Sequence, residues 1–87
     1  MSKILLFVGN VGWKEFDLSD TEELEKRNIT IGTNVKIGNG VKIGTNVKIG
    51  HDVTIGNRVY IGNNVRIADD VMIYDGAEIE NGANVPL

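Results

Sequence analysis

His51, in the stretch VKIGHDVTIG, is the sole histidine of the chain. Imidazole is the side chain that moves protons near neutral pH and that ligates metals, so any such chemistry falls to His51 first. Asp52 follows it directly, and a carboxylate beside an imidazole orients the ring and favours its charged form. The plain alternative is a polar residue in a solvated turn. Nucleophiles are scarce. Serine occurs only at Ser2 and Ser19, and cysteine is absent, which removes thiolate metal sites and disulfides together. Gly9 and Gly12 invite comparison with a phosphate-binding loop. GNVG lacks the third glycine, however, and leads into a short polar segment with no second βαβ strand.

The elements that position these residues follow from composition and repeat. The chain has 87 residues, enough for one small domain. Its net charge of −3 argues against nucleic acid as a partner. That charge is banded: net −2 over 1–27, +4 over 28–66 and −5 over 67–87. No apolar run reaches the ~20 residues of a membrane span. The start, MSKILLFVGN, reads as a strand rather than a signal peptide, since no small-residue cleavage site follows. The protein is expected to be cytoplasmic, with no membrane partner.

From Ile29 onward the chain falls into hexads without an insertion: ITIGTN, VKIGNG, VKIGTN, VKIGHD, VTIGNR, VYIGNN, VRIADD, VMIYDG, AEIENG, then ANVPL. Positions one and three are apolar, mostly Val and Ile, and position two is usually polar. This is strand alternation over three residues. Position six is Gly, Asn or Asp at every unit but one, and these residues accept a left-handed backbone at low cost. Arg58 is the exception. Each hexad is therefore a short strand plus a corner, and three hexads close a triangular coil of eighteen residues whose strands stack in parallel. Stacking by eighteen places Thr33 one coil above His51 and Asp69 one coil below. It also distributes Lys36, Lys42 and Lys48 over three sides, a ring rather than a phosphate-binding patch. Tyr60, Met72 and Tyr74 are the apolar residues left at outward or corner positions, and they are the expected oligomer contact.

Read as IGTNVK, IGNGVK, IGTNVK, IGHDVT, IGNRVY, IGNNVR, IADDVM, IYDGAE and IENGAN, the repeat resembles the hexapeptide-repeat superfamily, the fold of the bacterial hexapeptide acyltransferases. The resemblance covers about two thirds of the chain. It implies a mainly β fold, a left-handed parallel β-helix of about three coils, and assembly as a homotrimer. Ala68, Tyr74, Glu80 and Pro86 depart from the family's glycine. In the family's enzymes a histidine acts as general base on a hydroxyl or amine that attacks a thioester. That implication makes His51 the catalytic candidate, with Asp69 as its orienting group and acetyl-CoA as the acyl donor. Against it, no insertion interrupts the coils to wall an acceptor site, and NGANVPL offers no tail to hold a cofactor. The superfamily's zinc-dependent carbonic anhydrases need three histidines per metal, so no metal is expected.

Residues 1–28 are expected to form a strand and short helix that cap the first coil, and 29–87 the β-helix. KILLFV reads as the strand and LSDTEELEKRN as the helix, with Ser19 and Glu22 spaced as a capping box. Phe7, Trp13, Phe16 and Leu18 are expected to cover the apolar end of the solenoid. The near-identity of the first four coil units fits a natural chain and an engineered one alike. The functional expectation is a non-catalytic structural or oligomerising module without a cofactor. The alternative is a minimal or truncated acetyl-CoA-dependent O- or N-acyltransferase that uses His51 as its base.

Overall fold

A strand only three residues long cannot bury much by itself, and stacking solves this by joining its two inward side chains to identical columns above and below. In the structure, a computed structural model that describes residues 3–86, a hairpin and helix precede a run of such strands. They are β1 (Lys3–Val8), β2 (Gly12–Asp17) and α1 (Thr21–Lys26), then β3 (Thr30–Ile31), β4 (Lys36–Ile37), β5 (Val41–Ile43) and β6 (Lys48–Ile49). The run continues as β7 (Thr54–Ile55), β8 (Tyr60–Ile61), β9 (Arg66–Ile67), β10 (Met72–Ile73), β11 (Glu78–Ile79) and β12 (Asn84–Val85). The result is a three-sided parallel β-solenoid of about three turns.

The first face carries β3, β6, β9 and β12, the second β4, β7 and β10, and the third β5, β8 and β11. Registers such as Lys36↔Thr54 and Thr54↔Met72 confirm the eighteen-residue step. Positions one and three line the interior: Val47, Val53, Val59, Ile61 and Val65 are all buried. Among the described residues no helix is long and apolar enough to cross a membrane.

All ten position-six residues, from Asn28 to Gly82, have positive φ, between 55° and 77°. Arg58 is among them at 55°. Replacing Gly76 (φ 74°) with Val should therefore cost about 1–2 kcal/mol, even though a side chain there meets open space. Thr45→Val, at a corner position outside the left-handed region, should cost less than about 0.5 kcal/mol. Urea midpoints of the two variants check the corner assignment, and equal costs would overturn it.

The cap differs in detail from the sequence expectation. β1 joins the third face as an extra parallel strand, with Ile4 opposite Val41 and Leu6 opposite Ile43. Ile4 and Leu6 thereby extend the inward columns and, with Leu24 of α1, plug the end of the solenoid. Phe16 and Leu18 pack partly buried against that plug. Phe7 does not. The pleat turns it away from Ile4 and Leu6, it is 52% exposed, and it meets Trp13 edge-on at 5.5 Å. The antiparallel partner β2, GWKEFD, was not anticipated, because its apolar and charged residues do not alternate cleanly. The capping box does not form either. Ser19 instead donates from its N–H and its hydroxyl to Asp17 Oδ1, at 2.9 and 2.8 Å, and Asp20 is the N-cap without a side-chain bond.

Candidate functional site

The corners decide what His51 is available to do. Around each corner the main chain continues the sheet ladder: the position-four N–H of Gly32 donates to Ile49 O, and the position-six N–H of Asp52 donates to Thr33 O. The position-five N–H is left over, and an unpaired amide is costly. A side chain one coil below supplies each acceptor. Asn39 N–H donates to Asn57 Oδ1 at 2.9 Å, and Thr45 N–H to Asn63 Oδ1 at 2.8 Å. Asn57 and Asn63 N–H donate in turn to Asp75 and Asn81, at 2.7 and 2.8 Å.

His51 occupies this same position in its own column. Its Nδ1 accepts from the Thr33 main-chain N–H at 2.8 Å, with the Thr33 hydroxyl at 3.1 Å. Because Nδ1 is an acceptor, the neutral ring carries its proton on Nε2. Asp69 is where stacking by eighteen places it, yet its Oδ1 accepts from the His51 main-chain N–H at 2.7 Å. The hydrogen bonds that orient the ring come from Thr33. A signal for this was present. From unit four onward, position five reads His51, Asn57, Asn63, Asp69, Asp75, Asn81, every one a short side chain with an acceptor.

The same ladder explains the glycines at position four. A Cβ on Gly44 would strike Asn63 Oδ1 and one on Gly50 would strike Asp69 Oδ1, each also pressing on main chain. Ala68, Tyr74 and Glu80 escape the requirement. Below Tyr74 and Glu80 no further coil is stacked among the described residues, and the ladder position that would answer Ala68, nineteen residues on, is Leu87, outside them.

The three residues expected at an oligomer contact separate. Tyr60 lies on the third face, edge-on to Trp13 at 6.0 Å, beside a cleft that Phe7, Arg27, Thr45 and Asn63 also line. Met72 and Tyr74 come together at the border of the second face, around a shallow cleft with Thr54 and Asp75. Lys36, Lys42 and Lys48 stand on the second, third and first faces respectively. Missed by the sequence reading is the pairing of Lys48 with Arg66 in register on the first face.

The displaced carboxyl equilibria lie in the cap. The Arg27 guanidinium, followed by the Lys26 ammonium, holds the Glu23 carboxyl below its ordinary range. The Ser19 main-chain N–H, followed by its hydroxyl, does the same for Asp17. Both are charged-form hydrogen bonds. Among the described residues no group of three or more His, Cys, Asp or Glu is placed to hold a metal ion.

In comparison with known proteins, the family described as bacterial transferase hexapeptide (six repeats) matches residues 34–69. No curated protein and no solved structure matches the chain.

Proposed function

Given that the repeats of residues 34–69 belong to the bacterial transferase hexapeptide family, we propose that this chain is a non-catalytic structural module that works by self-association. The observation that carries this reading is the use of His51 Nδ1 as a ladder acceptor for Thr33 N–H. The other ring nitrogen, Nε2, is then the protonated one, the wrong form for abstracting a proton from an acyl acceptor. Asp69, spent on the His51 main chain, adds no push to the ring. The exposed Met72 and Tyr74 supply apolar surface suited to contact between copies.

If His51 is a ladder residue, His51→Asn should leave stability within about 0.5 kcal/mol, because asparagine holds the equivalent place in the other two columns. His51→Ala should cost about 1–2 kcal/mol for the orphaned Thr33 amide. Isothermal titration with acetyl-CoA tests the functional reading directly, and no saturable binding is expected. Saturable binding, together with release of coenzyme A from acetyl-CoA that is lost in His51→Asn, would instead support the acyltransferase alternative, with His51 as base and acetyl-CoA as donor.

A further inference from the structure

The ring of lysines keeps its members on separate faces, but stacking by eighteen brings a second cation to one of them. On the first face Arg66 stands below Lys48 in register, one strand spacing of about 4.8 Å away along the backbone. Like charges held opposite one another on neighbouring strands cost stability. The other two faces avoid this. Lys36 is opposite Thr54, and Lys42 is opposite Tyr60 with its ammonium over the Trp13 ring at 5.6 Å. The ion pairs among the described residues are Lys3–Glu15, Lys26–Glu23 and Arg27–Glu23, so neither Lys48 nor Arg66 is neutralised by them.

Both cations line a cleft of about 440 Å³, bordered by the outward column of the first face and by the asparagine corners that lead into it. Thr30 continues the outward column above Lys48, and Asn84 continues it below Arg66. Asn46 and Asn64 belong to the corner column. Asn28 Nδ2 donates to Asn46 Oδ1 at 2.7 Å, which spends the acceptor of Asn46 and leaves its own amide protons for another partner. Among the described residues no carboxylate lines the cleft. Its lining is therefore rich in donors, and its positive charge is uncompensated.

From this cleft we propose a binding site for a small phosphate ester, seated between Lys48 and Arg66. A phosphate group carries about −1.5 to −2 charges at pH 7, which matches the two cations. The planar guanidinium of Arg66 meets two phosphate oxygens at once, and the Lys48 ammonium acts as a point charge on the third. The Asn46 and Asn64 amides and the Thr30 hydroxyl supply neutral donors around them. Bound phosphate turns the repulsion between neighbouring strands into a bridge. A nucleic acid would need a longer track of cations, and uncharged Thr30 and Asn84 end this one after two.

Isothermal titration of the full chain with inorganic phosphate and with pyrophosphate, at constant ionic strength, tests this. Saturable binding at one site per chain is expected. Arg66→Gln and Lys48→Gln should each weaken it by about tenfold or more, while Lys36→Gln, which removes a cation from another face, should stay within about twofold. Arg66→Lys should recover part of the loss, because it restores the charge without the fork. Equal binding of the two anions would assign a phosphomonoester, and pyrophosphate bound about tenfold more tightly would assign a diphosphate. Thermal unfolding gives a second reading. Phosphate at about ten times its Kd should raise the wild-type midpoint by about 6 °C over chloride and leave that of the Lys48→Gln, Arg66→Gln double variant unchanged. Without phosphate, Lys48→Gln should unfold about 2 °C above wild type, since the repulsion is gone. Absence of saturable binding by either anion would overturn the proposal. So would binding that Lys36→Gln weakens as much as Arg66→Gln does, because the anion would then be reading net charge rather than this cleft.

Discussion

Gly50→Ala is expected to destabilise the solenoid by about 2–4 kcal/mol, although it adds only one methyl group at a half-buried corner. The new Cβ would collide with Asp69 Oδ1 and would lie 2.8 Å from Asp69 N and 2.9 Å from the Ala68 carbonyl carbon. Two of those neighbours are main chain held in the ladder, so they yield only by separating the coils. Relief is expected to be partial in the double variant Gly50→Ala, Asp69→Gly, which removes the acceptor and leaves the backbone contacts. The reverse change one coil below, Ala68→Gly, should cost no more than about 1 kcal/mol, since no acceptor among the described residues covers that position. Guanidinium midpoints of the three variants decide it. A cost below about 1 kcal/mol for Gly50→Ala would mean that the coils are not held as tightly as the ladder requires.

The second large effect belongs to the cap, where adjacent residues of one strand should behave oppositely. Leu6→Asp buries an unpaired carboxyl in the plug and is expected to cost about 4 kcal/mol or more, while Phe7→Asp should stay within about 1 kcal/mol. Leu6 is fully buried and Phe7 is half exposed, so the contrast reads the facing of β1 directly. Removing residues 1–27 carries the same logic to its end. It strips Ile4, Leu6 and Leu24 from the core and bares the edge of β5 that β1 pairs. Aggregation or end-to-end association is the expected result, visible as growth in light scattering. A stable, unassociated remainder would show that the hairpin and helix are an appendage rather than a plug.

The corner ladders limit which side chains the proposed self-association could use. The ladder occupies the polar side chains at position five, so what remains for contact between copies is position two, the exposed tips of the corners and the sequence departures. Met72, Tyr74 and Arg58 are three such departures: an apolar residue at an outward position, an aromatic where glycine otherwise stands, and a cation where glycine, asparagine or aspartate does. Each is locally less suited to its place than the residue it replaces.

The sequence by itself determined the coil. Alternation within three residues, a left-handed corner every sixth residue and a step of eighteen are set by local steric preference repeated in phase, and the structure reproduces them down to Arg58. Whether a side chain of β1 points inward was also local in principle, but the apolar run KILLFV does not say which of its two sides faces the coil, and only pairing with β5 chose Ile4 and Leu6 over Phe7. Tertiary structure alone decided the roles of His51 and Asp69. Both meet the main chain of another coil, Thr33 and His51 respectively. Those partners are eighteen residues away in sequence and in contact only through stacking. Local pattern specifies where a corner turns, and the amide left over at that corner specifies which side chain must answer it.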